Sequence, residues 1–548
     1  MCRVWERDMG SEQISSADGT NPVAEFDVVI IGAGLTGLYQ LYRIRQLGLS
    51  VRVYDDGDGV GGTWQWNRYP GCRFDSESET YGYSWSKELL QEWDWTEHFS
   101  GQPENERYLN YVADKFDLRR DIQLRSRVVA AVFDETTNRW NVELKDGQRA
   151  RAQFVIAAVG VLSADYTPAF EGIARFEGIS LHTGRWPKEA VDLEGKRVAV
   201  IGTGATGVQL ITEIAKVVGQ LTVFQRTANY CAPLRNAPVS AETQRRFKAT
   251  YDQIHKRIRE TPAGFLHDYE PRSALQVPVA ERHAFYEKLW AEPGFTKWLS
   301  NFHDIMTSRE ANEDFAEFVR NKIRARVNDK ELAEKLVPKD HPFGSKRIPL
   351  ESGYFEVYNR DNVALVDVRA TPIECITAKG IKTSDAEYEF DVIVYATGFD
   401  AVTGPLTRLD IRGVGGKSIK DHWENGFRSF LGIQTSGFPN LFMAVNSAFC
   451  NYTVCAETVV EWIADAIGYV RHRNMSRIDP TPDAEAAWVQ HAAELASQTL
   501  LSDANSWFMG SNIPGKARGL VLYANTAPAY RQKCAEVATS GYPGFRIQ

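Results

Sequence analysis

Three short, mostly apolar runs mark the chain, and β-branched residues are frequent in each of them. They lie in residues 26–31, 197–201 and 388–400. An unbroken apolar run of this length, bounded by glycine, predicts a strand buried on both faces of a parallel sheet. The first two runs lead directly into a glycine-rich turn and then into a helical pattern. The pattern therefore predicts an α/β fold with two strand–turn–helix units.

The first unit has the features of a dinucleotide-binding turn. Gly32, Gly34 and Gly37 follow the first strand, and the next strand ends at Asp55. The three glycines permit a tight turn, a close approach of a pyrophosphate and tight packing of helix on strand. The helix N-terminus offers free N–H groups to the phosphates, and the acid can bind a ribose diol. These residues predict an FAD site.

The second unit repeats this pattern with one difference. Gly202, Gly204 and Gly207 open the helix, but the second strand ends at Arg226 and Thr227 without an acid. A carboxylate there would repel a 2′-phosphate, whereas an arginine can pair with it. An arginine on a strand end can also be a plain surface residue. We interpret the second unit as an NADPH site, which implies electron transfer between the two dinucleotides.

The third apolar run, in residues 388–400, is expected to return the chain to the first sheet. The FAD domain is then discontinuous, with the NADPH domain inserted in it. We predict a flexible tail at 1–24, an N-terminal segment of the FAD domain at 25–165, the NADPH domain at 166–390, and a C-terminal segment of the FAD domain with a lid at 391–548. A helical insertion is expected at 236–340, where Phe247, Tyr251, Ile254 and Ile258 are spaced as on one helix face.

Composition narrows the class of protein. The chain has 548 residues, 43% of them hydrophobic and 24% charged, which is typical of a soluble protein with two or three domains. A net charge of −8 argues against nucleic acid or an anionic membrane as the main partner. The seven cysteines include no C-x-x-C pair, so we predict a cytoplasmic location and interpret Cys450 and Cys455 as buried packing residues.

The stretch RFEGISLHTGRWP at 175–187 fits neither a helix face nor strand alternation, which indicates an irregular connection between the two units. Phe176, Gly178, His182, Trp186 and Pro187 match F-x-G-x-x-x-H-x-x-x-W-[PD], the fingerprint of the type I Baeyer–Villiger monooxygenases. Further segments resemble the same family, from about residue 25 to the end, in a pattern nearest its phenylacetone and steroid monooxygenase branch. They are GGTWQWNRYPGCRFDSES (61–78), FGSKRIPLESGYFEVYNRDNV (343–363), ATGFDAVTG (396–404) and ANSWFMGSNIPGK (504–516).

The resemblance implies an enzyme that uses FAD, NADPH and O2 to convert a ketone into an ester or lactone through a C4a-peroxyflavin. Arg347 would be the active-site arginine and Asp75 the carboxylate that positions it. The other implied roles are as follows: Thr63 and Trp64 at the flavin, Lys346 with Arg226 and Thr227 at the 2′-phosphate, Phe176, Gly178, His182 and Trp186 in a linker that couples cofactor binding to domain motion, and Trp507 in a mobile loop closing on the nicotinamide cofactor.

Two segments depart from the family pattern, and two other interpretations of the function stay open. Residues 444–457 are bulkier and shorter than the family's small-residue run, and residues 516–530 also differ, so both are expected near the substrate pocket or its lid. The other interpretations are a flavin monooxygenase that oxygenates amines or sulfides, and an NADPH-binding redox sensor without turnover. The sequence predicts no metal site and leaves the oligomeric state open, with a monomer as the simplest expectation.

Overall fold

The computed structural model describes residues 23–445 and 448–548, so most of the predicted tail at 1–24 lies outside the described residues. The strands are β1 (Ala24–Ile31), β2 (Val51–Tyr54), β3 (Ile122–Gln123), β4 (Val128–Asp134), β5 (Arg139–Leu144), β6 (Arg149–Ala157), β7 (Ile179–His182), β8 (Arg197–Ile201), β9 (Gln220–Gln225), β10 (Ala232–Pro233), β11 (Leu350–Glu351), β12 (Val363–Asp367), β13 (Ile373–Ile376), β14 (Gly380–Thr383), β15 (Glu387–Glu389), β16 (Val392–Tyr395), β17 (Asp410–Arg412), β18 (Leu441–Met443), β19 (Ile478–Pro480) and β20 (Phe545–Ile547).

The helices are α1 (Leu35–Gln46), α2 (Thr63–Trp66), α3 (Ser78–Tyr81), α4 (Lys87–Glu92), α5 (Gln102–Lys115), α6 (Ala205–Ile214), α7 (Ala241–Glu260), α8 (Val279–Ala291), α9 (Thr296–Leu299), α10 (Arg309–Arg324), α11 (Lys330–Leu336), α12 (Gly404–Thr407), α13 (Ile419–His422), α14 (Tyr452–His472), α15 (Pro482–Ser497) and α16 (Ala527–Thr539). Among these described helices, none combines the length and apolar character needed to cross a bilayer.

The first sheet holds the first glycine turn. Its strand order is β17-β4-β5-β6-β1-β2-β3, and β18 pairs with β6. The central strand β1 runs parallel to β2 on one side and to β6 on the other. Its residues Val28, Val29 and Ile30 have no exposed surface, because helices and loops cover both faces of the sheet. Burial on both faces explains why this strand is an unbroken apolar run in the sequence.

The second sheet holds the second glycine turn. Its order is β12-β9-β8-β16-β7, with every neighbouring pair parallel. Val198, Ala199 and Val200 of the central strand β8 are fully buried. The molecule is thus an α/β protein with two doubly wound units, as the sequence predicts. Between β10 and β11, helices α7 to α11 form the expected helical insertion.

One strand prediction was wrong. The apolar run of residues 388–400 forms β16, which pairs with β8 and β7 in the second sheet and does not return to the first. The return is made by β17 and β18, which pair with β4 and β6. The predicted boundary between residues 390 and 391 falls just before β16. An apolar run indicates a buried parallel strand, but it carries no information on which of two similar sheets receives the strand.

A second correction concerns the stretch at 175–187, expected to be irregular. Ile179–His182 forms the edge strand β7, which runs parallel to β16. The usual alternation is weak because Ile179 and Ser180 are both exposed at this edge, while Leu181 is buried. Part of the fingerprint is therefore a strand of the second sheet, and the rest of it connects this strand to the neighbouring segments.

Candidate active site

The two glycine turns face one continuous cavity of about 1140 Å³. Residues from both sheets, from the helical insertion and from the C-terminal segment line its wall. Of the predicted site residues, the cavity wall includes Gly32, Gly34, Asp55, Thr63, Trp64, Asp75, Gly202, Gly204, Arg226, Thr227, Lys346, Arg347 and Trp507. Residues far apart in sequence thus contribute to a single site.

The first turn has the close packing that excludes side chains. Gly32 has a φ of +107°, and a Cβ there would overlap the carbonyl oxygen of Ala158. A Cβ on Gly37 would overlap the carbonyl oxygen of Gly32. The helix α1 begins after Gly34, which has no side chain to cap the N–H groups of the first turn. These donors face the cavity, as expected for a pyrophosphate site.

Asp55 lies at the end of β2 and is fixed by the backbone. Its two carboxylate oxygens accept hydrogen bonds from the N–H of Ala33 at 2.6 Å and of Gly57 at 2.7 Å. Burial raises the pKa of Asp55, and these two donors act in the opposite direction. The carboxylate is thus held next to the first turn, in the position that a ribose diol requires.

The short helix α2 packs against this turn. Thr63 lines the cavity, whereas Trp64 is buried and its indole N–H donates to the hydroxyl of Tyr81. The ring of Trp64 also meets Phe74 edge-on at 6.1 Å. Trp64 therefore fixes the cavity wall by packing, while Thr63 offers a polar group to it.

The second turn has the same geometry. Gly202 has a φ of +110°, and a Cβ there would overlap the carbonyl oxygen of Ala396, while a Cβ on Gly207 would overlap that of Gly202. Gly204 has open space where its Cβ would be. The residues after β16 thus lie against the second turn as Ala158 lies against the first. Both turns leave a backbone-lined cradle that fits a dinucleotide.

A cationic cluster lies at the end of β9, where Arg226 and Thr227 stand beside Lys346 in the cavity wall. Burial lowers the pKa of Lys346, and the guanidinium groups of Arg226 and Arg369 lower it further, against the opposing effect of Asp340. Arg369 donates to the hydroxyl of Thr227 at 2.9 Å. An anion bound among these cations would relieve their repulsion, as a 2′-phosphate does.

Arg347 and Asp75 meet in the cavity. The guanidinium of Arg347 donates to the carboxylate of Asp75, and the side chains are 31% and 13% exposed. The guanidinium carbon lies 4.4 Å from the ring centroid of Phe295, and the side chain of Asn229 donates to the backbone oxygen of Arg347 at 3.1 Å. A permanently cationic group is thereby held at a defined place in a largely apolar cavity.

The fingerprint residues contact both units but lie outside the cavity wall. The N–H of Trp186 donates to the backbone oxygen of Trp66 in α2 at 3.2 Å, while the hydroxyl of Thr183 lies 3.3 Å from that of Thr206 in α6. Gly178 is required because a Cβ would lie 2.5 Å from the carbonyl oxygen of Asp391. The fingerprint thus links helix α2 to the second sheet.

His182 and Phe176 support this link from within the second sheet. Phe176 packs in the second sheet's apolar cluster. The Nδ1 atom of His182 accepts from the N–H of Gly184 at 3.0 Å, and burial lowers the pKa of the ring, so its proton is on Nε2. Within residues 23–445 and 448–548 this buried Nε2 finds no hydrogen-bond partner.

The C-terminal segment covers one side of the cavity. Trp507 lines it at the start of a 3₁₀ helix, Trp507–Met509. The side chain of Asn512 donates to the backbone oxygen of Phe399, and the ammonium of Lys516 lies 2.5 Å from a carboxylate oxygen of Asp400. These contacts hold the segment against the residues that follow β16.

From the divergent segment 444–457, Ala448, Phe449, Cys450 and Tyr452 line the cavity. Phe449 lines it and packs between Trp298 of the helical insertion at 5.4 Å and Phe508 at 5.3 Å. Cys450 and Cys455 lie next to each other here, with their Cα atoms 6.4 Å apart.

Three residues at the site are not indicated by the sequence, namely Asn229, Phe295 and Arg369. None belongs to a segment with a recognisable motif, and Phe295 reaches Arg347 only through the packing of the helical insertion. No fixed spacing along the chain exists for such contacts. Among the described residues, no group of three or more His, Cys, Asp or Glu side chains is arranged to hold a metal ion.

Comparison with known proteins identifies the family. A model of the flavin-binding monooxygenase-like family matches residues 25–236. The chain is 43% identical over 524 residues to a Baeyer–Villiger monooxygenase of Pseudooceanicola batsensis, covering 95% of this chain and 96% of that protein. The chain belongs to the Baeyer–Villiger monooxygenases.

Two further relatives and one solved structure are also similar to this Baeyer–Villiger monooxygenase over nearly its whole length. It is 45% identical over 534 residues to the 2-oxo-Δ3-4,5,5-trimethylcyclopentenylacetyl-CoA monooxygenase of Pseudomonas putida, covering 95% of this chain and 98% of the relative. A phenazine N-monooxygenase of Lysobacter antibioticus is 41% identical over 530 residues, covering 96% and 97%. A crystal structure of OTEMO in complex with FAD and NADP superposes with a TM-score of 0.93 at 44% identity, covering 96% of this chain and all of that one.

Proposed function

We propose that this enzyme inserts one oxygen atom from O2 next to the carbonyl carbon of a ketone, using FAD and NADPH as cofactors. The bond between the carbonyl carbon and one adjoining carbon breaks, and an ester or lactone forms. NADPH and a proton supply the electrons and hydrogen, so the second oxygen atom leaves as water. The observation that carries this proposal is the Arg347–Asp75 pair inside a cavity shared by both glycine turns.

The two cradles support one position for each cofactor. FAD would lie on the first turn, with its ribose at Asp55, and NADPH on the second, with its 2′-phosphate among Arg226, Thr227 and Lys346. The contacts and charges described above support this assignment. When bound, the flavin takes hydride from NADPH and activates O2 for transfer to the substrate.

Arg347 provides a fixed positive charge for the reaction. Its guanidinium stays protonated at any physiological pH, so it can stabilise negative charge that develops on the carbonyl oxygen of the ketone. Asp75 orients the guanidinium by accepting a hydrogen bond from it. Phe295 covers one face of the group, and this apolar contact keeps water from that side.

The chain's aromatic residues shape the ketone site. Phe295, Trp298, Phe449 and Phe508 form an apolar wall on the side of the helical insertion and the C-terminal segment. Such a wall suits a ketone with a hydrophobic body that binds by burial of apolar surface. We further propose a cytoplasmic, monomeric enzyme, to be tested by cell fractionation and sedimentation velocity.

The test uses Arg347→Ala with the exposed Arg360→Ala as control. Stopped-flow measurement without oxygen should give the wild-type rate of flavin reduction by NADPH in both variants. Ester formation, measured by gas chromatography with cyclic ketones, should disappear in Arg347→Ala and persist in Arg360→Ala. Normal ester turnover in Arg347→Ala would refute the proposed role.

A second function has one observation in its favour. The similarity to a phenazine N-monooxygenase indicates that this scaffold can also support oxygenation at nitrogen. Amines and thioethers assayed with wild type and Arg347→Ala separate the two activities. If Arg347 acts only on the ketone, Arg347→Ala should lose ester formation and keep N- or S-oxide formation. N-oxide as the main wild-type product, with no ester from any ketone, would favour the second function.

A further inference from the structure

Lys297, on α9, is a buried cation surrounded by backbone carbonyl groups. The residue is only 1% exposed. Its ammonium donates to the carbonyl oxygen of Pro233 at 2.9 Å, contacts that of Glu292, and lies 3.4 Å from that of Gly294. Burial lowers its pKa to about 7. Because a buried ammonium is costly to desolvate, such a residue needs all three acceptors to remain charged.

The three carbonyl groups belong to two segments, and both support Arg347. Glu292 and Gly294 form the turn that leads directly into Phe295, whose ring lies 4.4 Å from the guanidinium carbon of Arg347. Gly294 has a φ of +62°, and its N–H donates to Leu234 at 3.1 Å, so the turn is tight and fixed on the same side.

The other segment reaches Arg347 through its backbone. Pro233 lies in β10, which runs parallel to β11 with Pro233 opposite Glu351. The strand β11 begins three residues after Arg347, and Asn229, shortly before β10, donates to the backbone oxygen of Arg347 at 3.1 Å. Lys297 therefore connects the Phe295 turn, whose ring lies beside the Arg347 guanidinium, to the β10–β11 pair beside the backbone of Arg347.

We propose that Lys297 is a positioning residue for Arg347, holding the Phe295 turn against β10 so that ring and guanidinium keep their distance. The inference rests on the proposed role of Arg347 at the ketone. It predicts a defect confined to oxygen transfer, because among the described residues the ammonium of Lys297 bonds to Pro233, Glu292 and Gly294 and to neither glycine turn. NADPH would still reduce the flavin, but more of the reduced flavin would release hydrogen peroxide instead of forming ester.

The main test compares Lys297→Met with Lys288→Met, an exposed lysine on the neighbouring helix α8. In Lys297→Met, the ester formed per NADPH should fall roughly tenfold, with hydrogen peroxide rising in step. The rate of flavin reduction and the KM for NADPH should stay within about twofold of wild type. Lys297→Arg should recover some of the loss. Lys288→Met should behave as wild type in all assays.

A readout independent of turnover is hydrogen–deuterium exchange of the purified holoenzyme. Peptides covering residues 344–350 should exchange faster in Lys297→Met than in Lys288→Met, since the support beside Arg347 is loosened. A lower melting temperature together with unchanged ester yield and unchanged exchange at 344–350 would show a merely structural role and overturn the inference.

Two further variants cover other outcomes. If Lys297→Met does not fold, Lys297→Gln, which keeps two hydrogen-bond donors, is measured in its place. A reduced ester yield at a normal rate of flavin reduction supports the inference, and a wild-type ester yield refutes it. Arg347→Ala is measured in parallel. Ester formation by Arg347→Ala would refute the proposed role of Arg347, and the absence of ester from the wild type with every ketone would refute the proposed function. Loss of ester in Arg347→Ala with a normal yield in Lys297→Met refutes only the role of Lys297.

Discussion

Selectivity for NADPH over NADH should depend unequally on Lys346 and Arg226. Lys346 is partly buried, and the nearby guanidinium groups of Arg226 and Arg369 act on its pKa, so a hydrogen bond to a 2′-phosphate there would be charge-assisted and poorly screened. Such bonds contribute about 1.5–3 kcal/mol. Removing it in Lys346→Ala should lower kcat/KM for NADPH roughly 10- to 150-fold, since each 1.4 kcal/mol is about a factor of ten.

Arg226 is exposed, so its ion pair with the phosphate is screened by water and salt. Exposed pairs contribute about 0.2–1 kcal/mol, and Arg226→Ala should therefore cost at most roughly fivefold. Because the Debye length shortens from about 10 Å at 0.1 M salt to about 3 Å at 1 M, the Arg226 effect should shrink at high salt more than the Lys346 effect.

The assay is steady-state NADPH and NADH oxidation at two ionic strengths, with the exposed Lys330→Ala as control. NADH lacks the 2′-phosphate, so its kcat/KM should change less than about twofold in every variant. Equal losses with NADPH and NADH in Lys346→Ala would refute the assignment of the cationic cluster to the phosphate. A larger effect of Arg226→Ala than of Lys346→Ala would refute the reasoning from burial.

Three further predictions concern the turns, the cavity wall and a buried acid. At Gly202, which has a positive φ, the Cβ of Gly202→Ala would overlap the carbonyl oxygen of Ala396, so this variant should have a lower melting temperature. Gly204→Ala has free space for its Cβ and should weaken NADPH binding without changing the melting temperature. An equal loss of melting temperature in both variants would contradict this prediction. Phe449→Ala should raise the ratio of kcat/KM for bicyclic ketones to kcat/KM for monocyclic ketones roughly tenfold, and Phe449→Trp should lower this ratio. An unchanged ratio would refute the proposal that Phe449 forms a wall of the ketone site. Burial raises the pKa of Glu79 to about 8, so the native state holds a proton that the unfolded state loses from about pH 4.5, and stability falls as pH rises between these values. Urea unfolding of Glu79→Gln should show a smaller fall in stability with pH than the wild type, since the pKa of buried Glu457 is also raised, to about 7. A fall as large as that of the wild type would contradict the role of Glu79.

The sequence predicted features set by neighbouring residues, but it did not predict contacts between residues far apart in the chain. The glycine turns, Asp55 and the Arg226–Thr227 end of β9 are set by neighbouring residues, so their pattern appears in the sequence. The sheet to which β16 belongs depends on which of two similar strands it meets, and no local signal records that choice. Phe295 likewise reaches its place beside Arg347 only after the helical insertion has folded over the cavity.

The pairing of β18 with β6 has a consequence for the order in which the chain can fold during synthesis. All five strands of the second sheet lie between residues 179 and 395, so that sheet can be completed before β17 has emerged from the ribosome. The first sheet must wait until residue 443 has emerged, although most of its strands are made first. Since chains grow at about 5–20 residues per second, its apolar edge stays uncovered for many seconds. A fragment ending near residue 165 should therefore aggregate, and chaperones should bind it.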